Sequence, residues 1–582
     1  MVAIVVTRVL ARQATPWEWD DLVFSLALDT FAPHAQVPHP PFYPGFVFLG
    51  RAVRVFVADN HAALTWVSVM ASSLVPVFTY FVATGLGLSR RVGLTAAGLL
   101  AFFPAVWFHA GVPLSDPAGL AAGLGATALA LRACRSHRAA LAATVAVGLA
   151  VSIRPQSALP AVLALAVSFA SLSPRRKLAV AAASVACVGL FYALPIVVAA
   201  ESLSGVTSWT AYQAGFVLEH DSLAAHRWAV APMLKRHFLD SWAEPALGIG
   251  VLVLSLAGAV YIWREIGKRT LGVVLLIFLP YAVLSWVFLD ASTAGRYALV
   301  YLPVVALFAA CGTLWLDRRL GCVRVPVAAS VLILVMTAIS ARAVLLVHRQ
   351  PSPPVAAARA IRVAQADRPY RIVHAPSLRM HAHAFFPGAE ILVARGIEDL
   401  CSIPLDERPT WLYGLDSGHA AVEAWPQATF LRRVGRGRYL ETRWQRREEA
   451  CIEFSEGFFK TERTASGHTF RWMGARGVLR FTASGTDLRL DLEAELPLSS
   501  LARPPIIAIH LNGHELRRLT ARQPRLHERV TIPEALLRPT PANELTLSSD
   551  QTFVPAESGR STDRRSLAMK LHHISIALAR EE

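Results

Sequence analysis

The sequence predicts an α-helical polytopic membrane protein of about 10–11 spans, followed by a soluble α/β segment and a C-terminal β-sandwich. Three observations predict it. Hydrophobic residues make up 54% of the 582 positions and charged residues only 17%, unlike an ordinary soluble domain. The excess is uneven: long apolar runs recur from His61 to Val347, and after His348 the composition turns ordinary and Arg-rich. From Cys451 onward, short segments alternate apolar and polar residues with the period of strands. The domain boundaries follow as 1–347, 348–450 and 451–582.

The N-terminal MVAIVVTRVLA is apolar but far short of the roughly 20 residues that cross a bilayer. Arg8 and Arg12 follow too soon for a signal peptide with a cleavage site. It reads as the remnant of a first span, with either the start misassigned or the helix truncated. Trp17 to Phe48 carries an acidic pair and a proline-rich turn ahead of the first complete span. Ten spans follow, near 62–84, 92–110, 117–133, 139–153, 158–172, 178–200, 245–263, 271–289, 296–316 and 325–347.

Basic clusters occupy every second connection: Arg90–Arg91, Arg132/Arg135/Arg138, Arg175–Arg176–Lys177, Arg264/Lys268/Arg269 and Arg318/Arg319/Arg324. The positive-inside rule places all of them in the cytoplasm. The alternating connections hold Asp116, Arg154, the 201–244 loop and Asp290–Arg296, and these fall outside with segment 1–60 and the C-terminal region. Topology therefore accounts for the formal charge of +16 without nucleic acid as a partner. Among six cysteines no CxxC or metal-like spacing occurs. Cys134, Cys187, Cys311 and Cys322 lie in or beside spans, and Cys401 can pair with Cys451 in an oxidising compartment.

The outer face gathers the residues that can do chemistry. Asp20 and Asp21 are flanked by Trp17, Trp19 and Leu22 in a segment suited to a helix at the interface. Neighbouring residues on a helix point about 100° apart, so one of the two faces a cleft. That carboxylate can act as a general base, and the plainer alternative is a solvated helix-terminal pair. In His39-Pro40-Pro41-Phe42-Tyr43-Pro44 three prolines stiffen a turn that either presents His39 and Tyr43 to a ligand or starts the next helix. Asp116, in SDP, reads as a helix N-terminus and as a carboxylate at the membrane edge. Arg154 and Arg296, the latter followed by Tyr297, are arginines on the side that the topological bias disfavours. They suit phosphate oxygens, or anchor span ends by snorkelling.

WEWDD, then PHPPFYPGF, PLSDP, SIRPQ and GRYALVYLP in that order resembles the polytopic GT-C glycosyltransferases over residues 15–347. The resemblance is nearest to the bacterial branch that includes lipid A aminoarabinose transferases and protein O-mannosyltransferases. It implies a polyprenyl-phosphate sugar donor, a glycan, lipid or protein acceptor outside the cytoplasmic membrane, and inversion at the anomeric carbon. It further implies Asp20 or Asp21 as catalytic carboxylate, Asp116 as a second acid, and Arg154 and Arg296 on the lipid phosphate. Some members use a divalent metal, but no DxD is present here, so neither metal nor cofactor is expected.

Beyond the spans, 351–450 combines a helix-like stretch, Ala356–Ala366, with strand-like Tyr370–His374, Glu390–Val393 and Thr410–Tyr413. In the β-sandwich, Asn512-Gly513 marks a hairpin. Trp472-Met473 and the run from Asp550 to Arg565 resemble sandwich domains of the carbohydrate-binding type, acting as glycan binder or structural cap. The rival for the whole chain is a transporter or flippase, or a non-catalytic subunit of envelope glycan assembly. Transporters place ionisable groups at mid-membrane, whereas here the span interiors are almost free of charge.

Overall fold

The computed structural model describes residues 1–579 apart from 228, 240–241, 290–292, 323–325, 366–368, 417–419, 436, 465–466, 540–541 and 560. Asp290, Arg324 and Ala366, named above, lie outside the described residues. The chain forms two compact units, Met1–Ala356 with Ala424–Glu441, and Ala357–Glu423 with Thr442–Glu582.

The first unit is helical. Six described helices are long and apolar enough to cross a membrane: those beginning at Asn60, Ser115, Pro174, Pro245, Lys268 and Val327. A pair bent by 70°, Ala294–Val300 and Leu302–Arg319, makes a seventh if taken as one span. The remaining apolar runs among the ten read from sequence are shorter, for local reasons. The run near 92–110 breaks at Phe103, which is extended ahead of Pro104 because proline disfavours the helical conformation in the residue before it. His137–Ile153 and Pro155–Phe169 are short apolar helices separated at Arg154 by the same effect of Pro155.

Small residues bring the helices close. A Cβ on Gly258 would strike the Phe308 carbonyl, and one on Gly312 the Leu254 carbonyl, so Pro245–Tyr261 and Leu302–Arg319 pack backbone to backbone. A second apolar cluster joins Trp17, Phe24, Tyr43 and Phe46 of the N-terminal segment to Trp107 and Phe108.

The second unit contains two sheets. In the first, β1 (Arg371–His374) runs parallel to β2 (Glu390–Val393) and β3 (Thr410–Tyr413). β4 (Ala421–Ala424) and β5 (Glu441–Arg447) complete the order β2-β1-β3-β5-β4. Buried throughout, β1 and β3 read as continuous rather than alternating runs. The C-terminal β-sandwich is a single nine-stranded sheet wrapped around one apolar core. Leu488, Leu490 and Leu492 face that core and Arg489, Asp491 and Glu493 turn outward. Asn512 and Gly513, both left-handed, make the hairpin turn between Ile506–Leu511 and His514–Thr520. Cys401 and Cys451 form a disulfide, and Cys134, Cys187, Cys311 and Cys322 are free thiols.

Candidate active site

Asp20 and Asp21 sit in the first turn of the helix Trp19–Asp29, where the helix dipole favours carboxylates. They diverge from there. Asp21 is fully buried and turns back on the chain. Its Oδ2 accepts from the Trp17 backbone N–H at 2.7 Å, from Gln13 Nε2 at 2.8 Å and from the Glu18 backbone N–H at 3.3 Å. With Glu18 it completes a reciprocal capping box. Asp20 turns away and receives Arg296 Nη1 at 2.8 Å.

The contact continues as a ladder. Arg296 Nε donates to Asp116 Oδ2 at 2.8 Å, and Arg154 Nη2 lies 2.8 Å from Asp116 Oδ1. Arg154 Nη1 donates to Ser115 Oγ at 2.7 Å. The four charges alternate in sign and cancel. Side-chain exposure falls along the ladder from 20% at Asp20 to 7% at Arg296, 3% at Asp116 and 2% at Arg154. Asp20 is therefore its open end.

Each member is placed by its local sequence. Ser115 begins the helix Ser115–Ala130, so Asp116 stands in its first turn, with Pro117 two residues further in than the first-position proline the SDP motif suggests. One turn along, a Cβ on Gly119 would lie 2.7 Å from Arg154 Cβ, so glycine clears the space that Arg154 occupies. Extended at φ −160°, Arg154 ends the preceding helix and points back to Asp116. Gly45 lets the next element approach Ser152 and Ile153, which brings Tyr43 beside Arg154; the guanidinium lies 5.8 Å from the Tyr43 ring centroid.

The proline-rich turn closes one side. Phe42 and Tyr43 are both left-handed, at φ 69° and 48°, a costly backbone for non-glycine residues that persists where its surroundings enforce it. The turn leaves Tyr43 buried and sets His39 Nδ1 3.8 Å from Asp20 Oδ1. Trp19 stacks on His39 at 6.4 Å between centroids, and Tyr43 meets it edge-on at 5.4 Å. Arg296 lies 5.8 Å over the Tyr297 ring.

Burial alone would raise the Asp20 carboxyl. His39, Arg296 and Arg438 outweigh burial and hold it well below the usual carboxylate range. Burial lowers His39 below its ordinary 6.5, reinforced by Arg296 and Arg154 and opposed by Asp20. The imidazole is thus neutral at neutral pH, and the lasting positive charge against Asp20 is that of Arg296. The Tyr43 hydroxyl is raised, chiefly by burial.

No family model matches the chain, and no curated protein matches it in sequence. Among solved structures it is similar to the apo Archaeoglobus fulgidus oligosaccharyltransferase, at 13% identity and TM-score 0.41 over 67% of this chain and 63% of that one. It is similar to ArnT from Cupriavidus metallidurans bound to undecaprenyl phosphate, at 12% identity and TM-score 0.43 over 71% and 91%. The arabinofuranosyltransferase AftD from Mycobacteria aligns at 11% identity and TM-score 0.44 over 100% and 58%. The chain thus spans about three fifths of the length of the archaeal and mycobacterial proteins.

Sequence reasoning missed one contributor. Residues 424–441 belong to the helical unit, although composition places them with the soluble region. Trp425 packs edge-on against Trp17 at 4.7 Å, and Trp17 Nε1 donates to the Arg438 carbonyl at 3.1 Å. Burial pushes the Tyr439 hydroxyl up to about 12, with Glu18, Asp20 and Asp21 adding to the rise. A Cβ on Gly295 would strike the backbone of Val434, and Gly435, at φ +90°, lies against the backbone nitrogen of Arg296. The signal available in sequence was the run RRVGRGRY, which packs glycine and arginine into one short stretch. Among the described residues no group of three or more His, Cys, Asp or Glu side chains is arranged to hold a metal ion.

Proposed function

We propose that this chain is a membrane glycosyltransferase of the GT-C type. In this reading it moves a sugar from a polyprenyl-phosphate donor to an acceptor outside the bacterial cytoplasmic membrane, with inversion and with Asp20 as base. The observation that carries the reading is the place of Asp20: the open end of a neutral, otherwise buried ladder, with an aromatic wall on one side and a guanidinium on the other. An inverting displacement needs those parts, a base for the attacking hydroxyl and a fixed cation where the phosphate leaves.

The ladder also supplies a sequence of events. While Arg296 pairs with Asp20, the carboxylate is too weak a base to take a proton from a hydroxyl. A donor phosphate that engages the outer edge of Arg296 shares its charge, and Asp20 becomes more basic as the substrate arrives. The acceptor O–H then gives its proton to Asp20 while its oxygen bonds to the anomeric carbon. The bond from that carbon to the phosphate oxygen breaks, leaving polyprenyl phosphate on Arg296. Asp116 and Arg154 hold Arg296 in place from behind, and His39, Tyr43 and Tyr297 shape the pocket. Asp21 acts as a helix cap.

Transfer of radiolabelled sugar from polyprenyl-phosphate donors in membranes tests this. Asp20→Asn is expected to lose transfer by about 10²-fold or more, whereas Asp21→Asn should follow its protein level. Undiminished transfer by Asp20→Asn removes the proposed base. Absence of transfer from every donor in the wild type favours the transporter or assembly-subunit reading.

A further inference from the structure

The helix Leu302–Arg319, 18 residues long, runs away from Arg296, and at about 1.5 Å per residue its far end lies about 27 Å from its start. A cavity of about 410 Å³ opens there, within the range of small-molecule sites. Basic clusters gather at this end, which the positive-inside rule assigns to the cytoplasm. Arg91 and Arg318 both line the cavity. So does Ser89, whose Oγ caps the helix Arg90–Phe102 by accepting from the Val92 N–H at 3.3 Å. Arg318 Nη1 donates to the Tyr261 hydroxyl at 3.0 Å, which holds the guanidinium at the wall. Two guanidiniums and a helix N-terminus suit a phosphate.

A second, independent feature points to a ligand of mixed character. Asp317 lines the same cavity and is only 2% exposed. Its Oδ1 accepts from the Ala328 N–H at 2.9 Å, while its buried Oδ2 has no hydrogen-bond partner among the described residues. A buried carboxylate oxygen without a donor is costly, and a ligand that carries an N–H or O–H relieves it. Leu94, which also lines the cavity, is 65% exposed, as suits a cavity that faces acyl chains.

We propose that this cavity holds a phospholipid headgroup of the cytoplasmic leaflet, its phosphate between Arg91 and Arg318 and its own N–H or O–H donor on Asp317. Ethanolamine and glycerol headgroups carry such a donor and choline does not. The test is native mass spectrometry of the purified full chain with phosphatidylethanolamine, phosphatidylglycerol and phosphatidylcholine of matched acyl chains. The first two are expected to bind about tenfold more tightly than the third. Asp317→Asn keeps the oxygen that caps Ala328 and should erase the preference of ethanolamine over choline. Arg91→Gln with Arg318→Gln should weaken all three lipids, and Arg318→Lys, which retains charge if the double variant fails to fold, should keep the headgroup preference. Equal binding of the three lipids, or a preference unchanged in Asp317→Asn, overturns the proposal. Displacement of lipid by millimolar O-phosphoethanolamine, with no lipid preference of its own, would reassign the cavity to a soluble phosphate ester and overturn the lipid assignment.

Discussion

Neutralising Asp116 should cost far more stability than neutralising Asp20, although both lie on one ladder. The Asp116 side chain is 3% exposed and serves two arginines, each at 2.8 Å. In Asp116→Asn, Arg296 retains Asp20, but Arg154, 2% exposed, is left with the Ser115 hydroxyl and the Tyr43 ring. A buried guanidinium deprived of its carboxylate costs about 3–5 kcal/mol. In Asp20→Asn, Arg296 keeps Asp116, and the lost pair sits at the 20% exposed end, which costs about 1 kcal/mol. Unfolding of the purified protein in mixed micelles by added SDS should show that gap. Asp116→Asn with Arg154→Gln removes the orphaned charge together with its partner and should recover much of the loss. If Asp116→Asn is no less stable than Asp20→Asn, or the double variant is no more stable than Asp116→Asn, the ladder does not carry the energetics assigned to it.

Two further predictions concern titration and the disulfide. His39 has a folded value below its ordinary 6.5, so between the two values the unfolded chain binds the extra proton and stability falls as pH drops below 6.5. His39→Gln should flatten that decline in unfolding midpoints measured from pH 7.5 to 5.5, and an equally steep decline would show that another group causes it. Cys401 and Cys451 are 50 residues apart, and replacing both by serine should destabilise the second unit by about 3–4 kcal/mol, with non-reducing peptide mapping of the wild type recovering this one bridge.

The parts of the site were legible in sequence as separate elements, and their connection was not. Arg154 and Arg296 stood out as arginines at the ends of apolar runs on the side the topological bias disfavours, and Asp116 as a carboxylate at the membrane edge. Nothing local shows that Arg296 meets Asp20, 276 residues away in the chain. The 100° rule implied that one of Asp20 and Asp21 faces a cleft, but which one depends on the Trp17 N–H and the Gln13 amide, contacts that exist only once the turn before the helix has formed. The spans were read from apolarity, which reports what a segment packs against and not whether it is one straight helix. Proline at 104 and 155 decides that, by extending Phe103 and Arg154. Residues 424–441 have the composition of a soluble region and were read as part of the 348–450 α/β segment, because nothing local shows that Trp425 packs against Trp17, far back in the chain.

That last segment provides a way to disturb the ladder without altering any charge. Gly435 has φ +90°, and a Cβ there would lie 2.5 Å from the Arg296 backbone nitrogen and 3.0 Å from Gly295 carbon. Gly435→Ala therefore carries two costs: about 1 kcal/mol or more for a left-handed alanine, and a shift of the backbone that carries Arg296. Gly485→Ala separates them, since Gly485 has φ +75° and nothing within 4 Å of its Cβ position. Gly485→Ala should lose only the first of these in conformational stability and Gly435→Ala more, and only Gly435→Ala should also lose sugar transfer, because a displaced Arg296 no longer spans Asp20 and Asp116. Equal transfer in the two, at equal protein level, would mean that 424–441 merely covers the helical unit. Transfer lost in Gly435→Ala alone would make this segment part of what sets the position of Arg296.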